Sequence, residues 1–99
     1  MKEINRKKLI YSILKEIEKG NEPKREDYGL EFEQWGELAE LIRDCGFVRN
    51  LGVMYANDVV YIVSFSSAKI TIQGLDYLEE NSVFARTYKG LKEVRDWLK

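Results

Sequence analysis

The chain has 99 residues, 44% of them apolar and 33% charged, with a net charge of -1, one cysteine and no histidine. That length holds one domain around one core, expected to span residues 1–99, and that balance excludes a disordered chain. The lack of histidine removes the commonest catalytic base and metal ligand. No run approaches the roughly 18 apolar residues that cross a bilayer, Cys45 has no internal partner for a disulfide, and no apolar leader follows the charged residues 1–8, so a cytoplasmic protein is expected.

Leu9, Ile10, Ile13, Leu14 and Ile17 recur at helical spacing within an arc of about 140°, which predicts an amphipathic helix over residues 5–19 with Asn5 as its cap and Gly20 as its end. Lys15, Lys19, Glu16 and Glu18 are expected on its solvent side, and Ile4 and Tyr11 fall outside the arc as flanking surface residues. The break at Asn21-Glu22-Pro23 leaves room for one short helix over residues 24–28 before Gly29. Phe32, Trp35, Leu38, Ala39, Leu41 and Ile42 form the inward stripe of a third helix over residues 31–45, closed by Cys45-Gly46. Its outward positions are Glu33, Gln34, Gly36, Glu37, Glu40, Arg43 and Asp44, so acids dominate where a recognition helix would face its target.

Residues 47–55 and 59–65 are rich in β-branched and aromatic side chains, and Ala56-Asn57-Asp58 supplies a turn that accepts positive φ; together they predict a β-hairpin. Val59, Tyr61, Val63 and Phe65 are placed on one face of the second strand and Val60 and Ile62 on the other, both covered, with Gly52 marking a bulge. In Ile70-Thr71-Ile72-Gln73-Gly74-Leu75-Asp76-Tyr77-Leu78, Thr71 caps a helix over residues 72–80 that turns Leu75 and Leu78 inward, with Tyr77 beside them. Ser82 caps a last helix running to residue 98. Its apolar residues Val83, Phe84, Tyr88, Leu91, Val94, Trp97 and Leu98 cover about 180°, which suits either a dimer interface or a helix wrapped onto its own domain. The order of helices, hairpin and capped helix gives an α+β, winged-helix-like fold with three N-terminal helices and two C-terminal ones.

Candidate chemistry is sparse. Cys45 stands at a helix C-terminus, where the dipole disfavours a thiolate, and reads as a buried structural thiol. Ser66-Ser67 lacks the glycines of a nucleophile elbow, and Glu31, Glu33, Glu37 and Glu40 come without a calcium loop. The expectation is a chain that is not an enzyme and has no catalytic residue, metal site or cofactor. Charge is spread unevenly: residues 1–25 carry +4, residues 26–46 carry -6 and residues 82–99 carry +3. Glu33, Glu37 and Glu40 on the third helix would repel phosphates, whereas Arg6, Lys7, Lys8, Lys89, Lys92 and Arg95 could converge into a basic patch.

The first helix ending Lys-Glu-Ile-Glu-Lys-Gly-Asn, the third ending Cys-Gly-Phe-Val, the capped Ile-Thr-Ile-Gln-Gly-Leu-Asp-Tyr-Leu-Glu-Glu-Asn and the terminal Tyr-Lys-Gly-Leu-Lys-Glu-Val-Arg-Asp-Trp-Leu-Lys give the chain its resemblance. It resembles the YjcQ-like family of small bacterial and prophage proteins. The resemblance implies a winged-helix-like fold and a phage or prophage setting with a head-associated role, and it carries over no catalytic residue. The expected function is a protein-interaction module that binds a partner or itself, using Glu33, Glu37, Glu40 and Trp97, with a homodimer through the last helix. The alternative is a DNA-binding winged-helix regulator that uses the basic terminal helices.

Overall fold

In the computed structural model, which describes residues 6–86, three helices come first: α1 (Arg6–Glu18), α2 (Arg25–Tyr28) and α3 (Phe32–Asp44). Four short strands follow: β1 (Val48–Arg49), β2 (Gly52–Ala56), β3 (Val59–Ser64) and β4 (Lys69–Ile70). α4 (Ile72–Glu80) and a 3-10 turn over Ser82–Arg86 complete the described chain. The fold is α+β, with β1 antiparallel to β4 and β2 antiparallel to β3.

The stripe Leu9, Ile10, Ile13, Leu14 and Ile17 buries α1 against Trp35, Leu38, Ala39 and Ile42 of α3, and Phe65, Ala68 and Leu78 close the remaining sides. At about 1.5–3 kcal/mol for each fully buried large side chain, this cluster is the main stabilising term. α2 is only four residues long and is held by Tyr28. The Tyr28 ring stacks 5.5 Å from Trp35, which meets Phe65 edge-on at 5.3 Å. The wholly buried Tyr28 hydroxyl is 3.2 Å from Ser12 Oγ, so each satisfies the other's polar group.

Several expectations for the helices are corrected by this packing. Tyr11 is buried at 2% exposure, because the chain after α4 returns over α1 and sets the Phe84 ring edge-on to it at 6.0 Å. Glu16 is also buried. Its carboxylate accepts from Asn21 Nδ2 at 3.1 Å and lies 3.9 Å from Lys19 Nζ, while its carbonyl accepts from the Asn21 N–H, so it pins the turn after α1. Gly36 is buried rather than outward, Phe32 and Leu41 sit at the margin of the core, and Leu75 on α4 is exposed, leaving Gly74 and Leu78 as that helix's inward residues. Cys45 is exposed, not a buried thiol.

The ribbon departs from the expected pair of long strands. Asn50 adopts φ 61°, which breaks the first strand into β1 and β2. The bulge falls at Met54/Tyr55, not at Gly52: Met54 pairs with Ile62 and Tyr55 with Val60, so Tyr61 is the additional residue. One inserted residue reverses the alternation beyond it. Val60 and Val63 therefore face inward, while Ile62 and Val59 are exposed at 42% and 64%, and the second strand is covered on one side only. The turn is as expected: Ala56 pairs with Val59 across Asn57 (φ 53°) and Asp58 (φ 65°), the two left-handed positions of a tight hairpin.

Thr71 joins the end of the ribbon to α4. Its Oγ1 accepts from the Gly74 N–H at 3.1 Å and donates to the Gly46 carbonyl at 2.5 Å, while its own N–H bonds to the Phe47 carbonyl at 3.0 Å. The first turn of α4 is thereby drawn onto residues 46–47 so closely that a Cβ at Gly74 would fall on the Phe47 carbonyl oxygen and within 2.6 Å of Ile70 Cγ1. Of the expected last helix only the 3-10 turn is described. Val83 is exposed and Phe84 packs on Tyr11, while Tyr88, Leu91, Val94, Trp97 and Leu98, like Ile4 and the cap Asn5, lie outside the described residues.

Candidate functional site

The outward face of α3 is divided by the hairpin. Val60 of β3 rests on Gly36, where an added Cβ would come within 3.2 Å of the Val60 Cβ. Tyr55 of β2 reaches the next two turns: Arg43 Nη1 donates to its hydroxyl at 2.6 Å, and that hydroxyl donates to Glu40 Oε2 at 3.0 Å. The Arg43 guanidinium also lies 5.7 Å from the Tyr55 ring centroid and donates through Nε to Asp44 at 3.1 Å. Those two hydrogen bonds, Tyr55 first and Asp44 second, hold the Arg43 pKa above its usual value. The line Gly36, Glu40, Arg43 is therefore occupied by the protein's own hairpin.

What α3 offers to solvent is the adjacent line of Glu33, Glu37, Leu41 and Asp44, spaced four, four and three residues apart on one helical face. Glu33 and Glu37 are exposed as expected, while Glu40 is half-buried under Tyr55. The fold brings Arg6, a candidate for contacting nucleic acid, to Glu37, a candidate for contacting a protein: Arg6 Nη2 lies 3.9 Å from Glu37 Oε2. Both side chains are about two-thirds exposed, so the pair contributes little to stability. Lys7 is exposed and Lys8 half-buried in the first turn of α1, whereas Lys89, Lys92, Arg95 and Trp97 lie outside the described residues.

Tyr77 ties the two ends of the described chain. Its ring packs 4.7 Å from that of Phe47, and its hydroxyl donates to the Lys7 carbonyl at 3.0 Å. Burial, with a smaller contribution from the nearby Cys45, pushes its pKa up to about 12. Two clefts among the described residues are open to solvent. One of 250 Å³ lies between α2 and the hairpin, floored by Trp35, Phe65 and Val63, and one of 480 Å³ runs along Arg49, Ile70, Thr71, Ile72 and Gln73. Among the described residues no three cysteine or carboxylate side chains gather as a metal site, and every buried side-chain nitrogen or oxygen has a hydrogen-bond partner.

A family model described as YjcQ protein matches residues 11–97. The chain belongs to the YjcQ family. It is 35% identical over 97 residues, 97% of this chain and 100% of the relative, to the Bacillus subtilis (strain 168) protein described as "Uncharacterized protein YjcQ". No solved structure matches it. The YjcQ match spans the α3 face, the hairpin and Thr71, and it begins after Arg6, Lys7 and Lys8. No helix among the described residues of this YjcQ-family chain is long and apolar enough to cross a membrane.

Sequence reasoning overlooked the part played by Tyr55, although alternation along β2 places it on the same side as the inward Val53. It also overlooked Arg49 and Lys69, whose direct opposition follows only from the β1–β4 register.

Proposed function

We propose that this YjcQ-family chain is a winged-helix-like protein-interaction module without catalytic activity, acting on a protein partner or a second copy of itself in preference to duplex DNA. The observation that carries the reading is the solvent face of α3. In a DNA-binding winged helix that face enters the major groove and carries cations and amides. Here it presents Glu33, Glu37, Leu41 and Asp44, and the line beside it is taken by Val60 and Tyr55. An uncompensated like-charge contact costs about 1 kcal/mol or more near a surface. Glu33 makes no ion pair among the described residues, and the exposed pairs Arg6–Glu37 and Arg43–Asp44 only partly neutralise the other two carboxylates, so the face opposes phosphate docking. The hairpin tip, Asn57-Asp58, supplies no cation to offset them.

Leu41 between acids suits a basic, partly apolar protein surface. A phage or prophage assembly is the setting in which we place such a partner, and Trp97 is the anchor we assign to self-association. Fluorescence polarisation with mixed-sequence duplexes at about 50 mM salt tests the DNA side: the module reading expects no saturable binding, and micromolar binding that collapses with added salt contradicts it. Sedimentation of the wild type beside Trp97→Ala tests the self-association arm, which expects a concentration-dependent dimer weakened by the substitution. A wild type that stays monomeric at high concentration removes that arm.

A further inference from the structure

We infer that the solvent face of α3 in one copy docks at the cleft lined by Arg49, Ile70 and Ile72 on a second copy, joining copies head to tail. This rests on the interaction-module reading and names both the partner and the surface that receives it.

The cleft lies where β1 and β4 meet the first turn of α4, and Arg49, Ile70, Thr71, Ile72 and Gln73 line it. Arg49 and Lys69 are direct cross-strand partners, so Lys69 stands beside Arg49 on the same face of the ladder. Both are exposed, and among the described residues neither makes an ion pair or hydrogen bond. Ile72, at 74% exposure, is the most exposed large apolar side chain among the described residues, and it lines the same cleft as Arg49. The first turn of α4 carries no acid, and Asp76, a turn beyond Ile72, ends the cationic surface.

The α3 face is the counterpart of this cleft. It presents Glu33, Glu37 and Asp44 in line with Leu41, which is 38% exposed. Glu33 has no ion pair among the described residues, and Glu37 and Asp44 hold only exposed ones with Arg6 and Arg43. No ion pair among the described residues joins these acids to Arg49 or Lys69, so within one copy the two surfaces do not satisfy each other. A leucine among acids and an isoleucine beside cations match in charge and in apolar character.

The same charges fix the symmetry. Two α3 faces would oppose carboxylates and two clefts would oppose cations, so the contact joins unlike surfaces. Each junction then leaves one surface free at either end, which gives a row of copies unless the rotation closes a ring. These few side chains fall short of the about 800 Å² per partner that a stable interface buries, so the association is weak and sensitive to salt.

Sedimentation of the full chain at millimolar concentration tests this. The wild type is expected to exceed the mass of a dimer at about 20 mM salt and to return toward the monomer at about 300 mM. Glu33→Gln/Glu37→Gln and Arg49→Gln/Lys69→Gln should each be monomeric alone, whereas their equimolar mixture should form a complex that stops at two copies, because one junction remains intact. Ile72→Ser should weaken association of the otherwise unchanged chain about fivefold. Independently of any variant, amide resonances of residues 33–44 and of residues 49 and 69–73 should move together as the wild type is diluted. Several results overturn the proposal: association that either glutamine variant leaves unchanged, a mixture that stays monomeric, or dilution shifts confined to other residues. A dimer that survives both glutamine variants and is lost in Trp97→Ala also overturns it and assigns self-association to the last helix. A wild type that stays monomeric at low salt with duplex unbound removes this contact alone, whereas salt-sensitive duplex binding removes the interaction-module reading itself.

Discussion

Thr71 serves two elements with one hydroxyl, accepting from Gly74 in α4 and donating to Gly46 at the end of α3. Thr71→Ala should cost about 1–2 kcal/mol, which for a domain of this size lowers Tm by about 4–8 °C per kcal/mol, while Thr71→Ser should recover most of the loss; thermal melts of the two variants check this. Gly74→Ala separates two opposed effects. In an open helix alanine gains about 1 kcal/mol over glycine, but here the new Cβ falls on the Phe47 carbonyl, so the urea midpoint should drop rather than rise. Tyr77 has a pH signature. Its usual pKa is 10.0 and burial raises it to about 12 in the fold, so the folded state disfavours the phenolate. Its contribution is full below pH 10 and is lost as pH rises through about 12. Urea midpoints measured across that interval should fall with pH in the wild type and fall less in Tyr77→Phe, which starts lower at neutral pH because it lacks the bond to the Lys7 carbonyl.

At the scale of elements, the hairpin and α3 behave as one unit because Tyr55 and Val60 fasten the ribbon to the helix. Gly36→Leu should push the hairpin off α3, and hydrogen exchange should then quicken at the β2 and β3 amides while those of α1 keep their protection; uniform loss of protection across both would contradict a locally seated hairpin. The Asn57-Asp58 turn and the Thr71 cap are legible in the sequence because each depends on residues whose local chemistry has one strong use. The bulge at Tyr61 is not, since one added residue changes neither composition nor strand propensity yet puts Val60 and Ile62, expected on one face, on opposite sides of the strand. Tyr11 and Glu16 are misplaced for another reason. A helical wheel assumes one buried face, and α1 is covered on a second side by Phe84 and has its end pinned by Asn21. Of the candidate site, the acidity of α3 is legible from spacing alone, whereas the covering of Gly36, Glu40 and Arg43 by the hairpin depends on contacts between residues far apart in the chain.

At the scale of the whole molecule, charge separates along the chain, and among the described residues folding joins it again only in part. Arg6 meets Glu37 across a long, exposed pair, Arg43 is held by Tyr55 and Asp44, and Glu33 keeps an exposed carboxylate on the α3 face. Under the proposed function this face repels polyanions. Titrating a mixed-sequence duplex into the wild type and into Glu33→Lys/Glu37→Lys, side by side at about 50 mM salt, measures it directly. A flat response is expected for the wild type and salt-sensitive binding for the charge-reversed variant. Micromolar, salt-sensitive binding by the wild type that the reversal leaves unchanged would contradict it.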